Sequence, residues 1–412
     1  MSDDTAAALS LLNAAAVRTR AKRMLALGLD DRLPHFRIDL GALDHAADLV
    51  AATTRKNYPT LDVPFHSRWR HFVVGGANRA GTLADFASLP DRHAHARAAF
   101  DLAIVSVLLD AGAGPQWRYG DAVTGERIGR SEGLALASLD MFSRGAFSSN
   151  PKGNPHRADA AALTRLDTGT LAGGFQIAPG NTLVGLEGRA ALLRALGELA
   201  ASRPEIFARE DPPRPGGFFD HLAAKATDAA IPAPLILSEL LMQFGPIWPS
   251  RLTLGGLPLG DCWRHPAMTT DDVTSELVPL HKLSQWLAYS LIEPLQQAGL
   301  KVTDIDGLTG LAEYRNGGLF IDAGVLVPRD PADAARSHEV GAPLVVEWRA
   351  LTVALLDRLA LAVRAKLNRS AAELPLAKIL QGGTWAAGRE LAFARRADGS
   401  PPLKVISDGT VF

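Results

Sequence analysis

Carboxylates, amides and guanidinium groups crowd into residues 278–326, VPLHKLSQWLAYSLIEPLQQAGLKVTDIDGLTGLAEYRNGGLFIDAGVL. Lys282 and Gln285 come early in this stretch, and Asp304, Asp306, Glu313, Tyr314, Arg315, Asn316 and Asp322 follow, packed between apolar residues. Polar groups in such company are costly when buried unless they pair with one another or bind something. Carboxylates among apolar groups acquire shifted pKa values, which suits them to act as general acid, general base or stabiliser of a developing cation. Cleavage of a glycosidic bond needs those roles, because its transition state resembles an oxocarbenium ion. The competing reading is a knot of salt bridges that fixes a turn. A second concentration of charge is VPFHSRWRHFVVGG at 63–76, where His66, Arg68, Arg70 and His71 surround Trp69. Arginines there could reach a phosphate or carboxylate, with Gly75 and Gly76 allowing close backbone approach. A surface turn with paired arginines is the alternative.

The elements that must position these groups are mostly helical. Leu280, Leu283, Leu287, Leu291 and Leu295 recur at steps of three or four, which predicts a helix carrying Lys282 and Gln285 and stopping near Gly299. Helical spacing also covers 5–28, 41–56, 91–112 (closed by Gly112 in the manner of a C-cap), the segment after Asn181, 231–245 and 344–367. Residues 142–180 are rich in Ser, Gly, Asn and Pro and predict a surface excursion with at most short strands or hairpins. EDPPRPGG at 210–217 reads as a linker or exposed loop, and the terminal PPLKVISDGTVF as a strand or two around an Asp-Gly turn. The expected fold is therefore mainly α with short strands and hairpins (α+β). Its halves are 1–210, with the excursion, and 216–412, with 278–326, joined as one compact two-lobed unit.

Composition narrows the function classes. The chain has 412 residues, 47% hydrophobic and 21% charged, which fits an ordinary soluble enzyme with a large core. A formal net charge of −1 provides no electrostatic footprint for nucleic acid. Cys262 is the only cysteine, so neither an intrachain disulfide nor a Cys-rich zinc module can form, and a reducing cytoplasm is the expected compartment. Beside Trp263 it reads as a buried small apolar residue rather than a nucleophile. No apolar run approaches the roughly 18 residues needed to span a bilayer, and the acids-first N-terminus is the reverse of a secretory signal. GxxxxGK[ST], GxGxxG, HExxH, GxSxG and EF-hand patterns are all absent. His93 and His95 fall on different faces of their helix, which disfavours a metal pair.

PFHSRWRHF at 64–72, PGNTLVGLEGRAALL at 179–193 and VPLHKLSQWLAYSLIEPL with GLAEYRNGGLFIDAGVL resemble, in order and over essentially the whole chain, the family of uracil catabolism protein four. The resemblance implies a part in a pyrimidine-degradation route in which uracil becomes a nucleotide, a cyclohydrolase-like partner opens the ring, and urea is released. A second resemblance, over about 50 residues, is to queuosine salvage proteins, which look like N-glycosidases on a helical core similar to that of DNA glycosylases. Their YKxxQ run falls on His281, Lys282 and Gln285, their DI pair near Asp304 or Asp306 with Ile305, and their LTxxADYR run on Leu308, Thr309, Ala312, Glu313, Tyr314 and Arg315. His281 replaces the Tyr and Glu313 the Asp, so the nucleobase pocket differs.

Together the resemblances imply hydrolysis of the N-glycosidic bond of a ring-opened uracil nucleotide such as ribosylurea 5-phosphate. Glu313 or Asp306 would stabilise the cation or orient water. Lys282 and Arg315, with Arg68 and Arg70, would hold the phosphate, while Gln285, Asn316, Tyr314 and His281 would contact ureido or ribose groups. The scheme requires no metal and no cofactor, and its partners are the phosphorylated ribosyl substrate and the cyclohydrolase-like enzyme, not nucleic acid or membrane. The rivals are an amidohydrolase or deaminase on the same intermediate, and a non-catalytic subunit that channels it.

Overall fold

A computed structural model describes residues 3–81, 89–208, 212–248 and 251–406. These are mainly helical, and the strands are short, each joined to a single partner in a two-stranded sheet. The described chain divides into two units. One comprises 3–66, 251–285 and 304–406; the other comprises the described parts of 67–248 together with 286–303. The division falls inside the helix Lys282–Gln297, between Gln285 and Trp286.

The first unit is built around the helix Pro343–Leu367. Pro343 stands at its first turn, where a missing N–H costs nothing, and Asn368 ends it in the left-handed region at φ 51°. Its first turns are buried on every side, from Leu344 to Leu356. The helices Ala14–Leu29, Leu43–Asn57 and Tyr314–Asp322 pack against it. Two charged residues, Glu347 and Arg349, lie in that buried half. Glu347 accepts from the backbone N–H groups of His35 (3.2 Å) and Phe36 (2.8 Å) and lies 3.2 Å from His265 Nε2. It thereby fixes the strand Phe36–Ile38, which pairs antiparallel with Leu326–Pro328.

The helix Trp385–Arg395 packs on Tyr314–Asp322 through Gly388, where a Cβ would stand 2.3 Å from the Arg315 carbonyl oxygen. Backbone cannot yield cheaply at that distance. Gly388→Ala is expected to lower stability by about 1–3 kcal/mol, read as a shift in the denaturant midpoint; an unchanged midpoint would show that the two helices can separate freely.

In the second unit Asp91 caps the helix Arg92–Leu108 through the N–H groups of His93 and Ala94, both at 2.8 Å. The helix stops at Leu108, short of Gly112, so Gly112 is not its C-cap. The carbonyls beyond it are taken by the buried Arg189, which donates to those of Leu109, Ala111 and Gly112. The 142–180 stretch holds two short helices, Ala160–Leu163 and Thr168–Gly174, each capped by an aspartate one residue earlier, rather than hairpins. Asp159 and Asp167 are the start signals that a composition count overlooks. In the expected exposed loop, Arg214 and residues 215–217 are buried. Arg214 pairs with Asp101 at 2.6 Å, and the Gly216 N–H donates to the same carboxylate, so proline and glycine here mark a tight internal turn. Glu210 and Asp211 of that loop, and the Asp408–Gly409 turn, lie outside the described residues.

Candidate active site at the start of two helices

The first turn of Lys282–Gln297 is shaped by residues before it. His281 adopts the left-handed conformation at φ 47°, a strained choice for a non-glycine residue. Its Nε2 lies 3.0 Å from the Leu11 carbonyl oxygen. A carbonyl only accepts, so Nε2 carries the proton. Nδ1 is buried with no hydrogen-bond partner among the described residues, and burial lowers the pKa of the ring, favouring neutral imidazole. The predicted stripe accordingly begins one step late, since Leu280 precedes the helix.

Asp261 caps this helix. Its Oδ2 accepts the Lys282 N–H at 2.9 Å, and its backbone carbonyl accepts from Leu280 and His281. Both carboxylate oxygens pair with Arg349, each at 2.8 Å, and Oδ1 also accepts Trp263 Nε1 at 2.6 Å. Burial alone would raise the Asp261 pKa, but Arg349 and these hydrogen bonds outweigh it and hold the carboxyl well below the usual range. Arg349 reaches further: its Nε donates to the Ala312 carbonyl at 3.2 Å, immediately before Glu313. One buried ion pair therefore fixes both the segment that carries Lys282 and the segment that carries Glu313.

Glu313 opens the helix Tyr314–Asp322 as its N-cap, accepting from the N–H of Arg315 at 2.7 Å and of Asn316 at 2.6 Å. Part of the residue reaches solvent, yet its carboxyl is closely surrounded by protein. Burial raises its pKa above that of an ordinary glutamate; the two N–H groups and the nearby charges of Lys282 and Arg315 pull it back without cancelling the shift. Lys282 is only partly buried and Tyr314 likewise. The structure thus brings Lys282, Glu313, Tyr314, Arg315 and Asn316 into one neighbourhood. Arg315 is 2% exposed, donates from Nη1 to the Gly399 carbonyl at 2.8 Å and lies 4.9 Å over the Tyr314 ring. Asn316 donates to the Leu311 carbonyl at 3.2 Å, leaving Oδ1 buried without a partner among the described residues.

The remaining sequence candidates are engaged elsewhere. Gln285 has both ends of its amide on Thr309, its Nε2 on Oγ1 at 2.5 Å and its Oε1 on the N–H at 2.8 Å, an arrangement that pins the loop before Glu313. Asp306 pairs with Arg364 at 2.6 Å and accepts the Leu376 N–H at 2.6 Å. Arg68 and Arg70 belong to the second unit. Arg68 is wholly buried, donating to Ser106 Oγ (2.7 Å) and the Ser131 carbonyl (3.1 Å), pairing with Asp110 (3.0 Å) and lying 5.4 Å from the centre of the Trp286 ring. Arg70 pairs with Glu293 at 2.5 Å. Within this patch Arg68 is internal, whereas Arg70 is partly exposed and Gly75 and Gly76 form the exposed turn of a short hairpin.

Cys262 is buried, and burial with the neighbouring Asp261 pushes its thiol up to about 12, so it is no nucleophile at neutral pH. Sequence reasoning missed Asp261, although a carboxylate beside Cys262–Trp263 and an arginine within an apolar helix were the available signals. Among the described residues, no three His, Cys, Asp or Glu side chains gather as a metal site, and no helix is long and apolar enough to cross a membrane.

Residues 10–412 match the family described as Protein of unknown function (DUF1688). The chain is 39% identical over 421 residues to Protein urg3 of Schizosaccharomyces pombe, covering 100% of both sequences. It is 37% identical over 410 residues to Uracil catabolism protein 4 of Lachancea kluyveri, covering 92% of each.

Proposed function

The chain belongs to the DUF1688 family, and from that membership we propose that it acts in uracil catabolism as a hydrolase of the N-glycosidic bond in a ring-opened uracil nucleotide, such as ribosylurea 5-phosphate. In this reaction the bond from the anomeric carbon to the ureido nitrogen breaks, water supplies the new C–O bond, and a proton passes to the departing urea. The products are urea and ribose 5-phosphate. Urea leaves poorly, so the site must stabilise positive charge at the anomeric carbon and direct a proton to the nitrogen.

One observation supports this reading above the others: a carboxyl with a raised pKa, Glu313, held by two backbone N–H groups beside the partly exposed Lys282. A fixed carboxyl of tuned acidity suits an oxocarbenium-like transition state. The residues Leu308–Arg315 also resemble the LTxxADYR run of the queuosine salvage N-glycosidases, with Glu313 in place of its Asp, and on that resemblance the proposal includes a glycosylase-like helical core. In this proposal Tyr314 and Asn316 contact ribose or ureido atoms. Asp306, paired with Arg364, serves to hold the loop.

Incubation of the pure protein with ribosylurea 5-phosphate is expected to release free urea and a reducing sugar in equal amounts. Ammonia without reducing sugar would instead point to an amidohydrolase. The pH profile carries a further expectation. If ionised Glu313 is the working form, the acidic limb of kcat/KM has its midpoint above 4.5, the ordinary glutamate value, because burial has raised this group. A limb at or below 4.5 would assign the carboxylate role to another residue.

A further inference from the structure

We infer that Arg18, on the helix Ala14–Leu29, is a positioning residue of the site: it grips the backbone carbonyls of Asp306, Gly307 and Leu308 and thereby sets where Glu313 stands. The inference rests on the functional reading above, because it says how the carboxyl assigned there is held in place. Residues 308–312 are buried yet form neither helix nor strand. Backbone in that state has no ladder to satisfy its polar groups, so side chains must supply the partners. Arg18 Nη1 donates to the Gly307 carbonyl at 3.2 Å, and Nη2 to those of Asp306 at 3.0 Å and Leu308 at 2.7 Å. Further along, Gln285 accepts the Thr309 N–H, Asn316 donates to the Leu311 carbonyl and Arg349 to that of Ala312. Gly310 leaves no slack, since a Cβ there would stand 2.8 Å from the Cβ of Leu356. With the loop held along its length, a shift at 306–308 is passed on to Glu313.

The helix that carries Arg18 is itself well anchored. Asn13 caps it by accepting the Ala16 N–H at 2.8 Å, and Val17, Ala21, Met24 and Leu25 bury its apolar face. It packs beside the helix Pro343–Leu367, whose Asp357 Oδ2 lies 2.8 Å from Arg18 Nε. The Arg18 and Asp357 side chains are 22% and 20% exposed, and an ion pair that open contributes little by itself. The grip on the loop is the distinctive part. A planar guanidinium fork meets three carbonyls in one place, whereas a compact ammonium on a flexible stem cannot hold all three in fixed directions.

The full chain and its Arg18→Lys and Asp357→Asn variants are compared by hydrogen exchange over 306–316 and by urea release from ribosylurea 5-phosphate across pH. Lysine keeps the charge beside Asp357 but not the fork, whereas asparagine keeps an acceptor for Nε and removes only the charge. Arg18→Lys is expected to exchange at least about tenfold faster over 306–316 and to lower kcat at least about tenfold, with KM within about threefold. Its acidic limb of kcat/KM is expected to move down toward 4.5, because a loosened loop lets water reach the Glu313 carboxyl that burial had raised. Asp357→Asn is expected to stay within about threefold of the unaltered protein in exchange and kcat. Arg18→Gln, which retains an amide donor for one carbonyl, gives the same readings if Arg18→Lys does not fold. Unchanged exchange over 306–316 in a folded Arg18 variant overturns the inference. So does faster exchange with kcat and the acidic limb unmoved, or an Asp357→Asn effect as large as that of Arg18→Lys. Faster exchange in Arg18→Lys, when the unaltered protein releases no urea, keeps the grip on the loop and removes the glycosidase reading.

Discussion

Glu313→Gln is expected to lower kcat for urea release by about 10²–10⁴-fold while leaving KM within a few-fold. Glutamine keeps the length of the side chain and one carbonyl oxygen, so it still caps one of the two N–H groups that Glu313 accepts, those of Arg315 and Asn316. It removes the charge and the capacity to exchange a proton. Loss of one capping bond costs about 1 kcal/mol, a few degrees at most in Tm for a chain of this size. That deficit should itself vary with pH. A carboxyl whose folded pKa is raised contributes stability that is fully present below its unfolded value of 4.5 and is lost as pH rises through the folded value. The glutamine variant is therefore weakest relative to the parent in acid, and the gap narrows toward neutrality. Glu313→Asp separates cap from chemistry: aspartate is a good N-cap, so stability holds, but the carboxylate retreats by one methylene and kcat falls. Urea assays and thermal melts across pH read all three effects. A fully active Glu313→Gln would leave the residue as a cap alone.

Arg349→Met is expected to cost about 3–5 kcal/mol of stability, the largest single effect foreseen for this chain. It strands the Asp261 carboxylate, 7% exposed, without the guanidinium that holds both its oxygens. Asp261 would then keep the hydrogen bonds from Trp263 Nε1 and the Lys282 N–H but lose its paired guanidinium, and the Ala312 carbonyl would lose the Arg349 donor. Removing both charges together is a different matter. Replacing a buried pair by apolar side chains of similar volume is often close to neutral, so Asp261→Leu combined with Arg349→Met should recover most of the stability. It should not recover activity, because Lys282 and Glu313 are positioned through that pair. Guanidinium unfolding of the two single variants and the double variant measures the coupling, and urea release measures positioning. A loss below about 1 kcal/mol in Arg349→Met would deny the pair its structural role.

The helical content, and the polar stretch that carries the candidate site, were legible in the sequence for a simple reason. Apolar spacing is a local property, and the leucines of 283–295 lie on one face of any helix they form. The polar stretch 304–322 stood out because charges among apolar residues are improbable without a partner or ligand. What each polar group does is not local. Asp306 and Glu313 are both acids seven residues apart in the same stretch, yet one meets Arg364 and the N–H of Leu376 while the other caps a helix beside Lys282. Gln285 and Lys282, a turn apart, diverge likewise, the first locked onto Thr309 and the second left partly exposed. Turn composition also misled at 212–217, where proline and glycine shape a buried corner around Asp101.

By itself the sequence determined a mainly helical protein with its most chemically dense segment at 278–326, because periodicity and composition depend only on neighbours along the chain. Only the tertiary structure decided that Asp261 and Arg349 hold that segment, that Arg68 is buried against Asp110, and that Glu313 keeps a raised pKa. Burial, hydrogen bonding and ion pairing bring together groups 88 positions apart, as Asp261 and Arg349, or 311 apart, as Phe36 and Glu347, and no local pattern encodes which of several charges will meet.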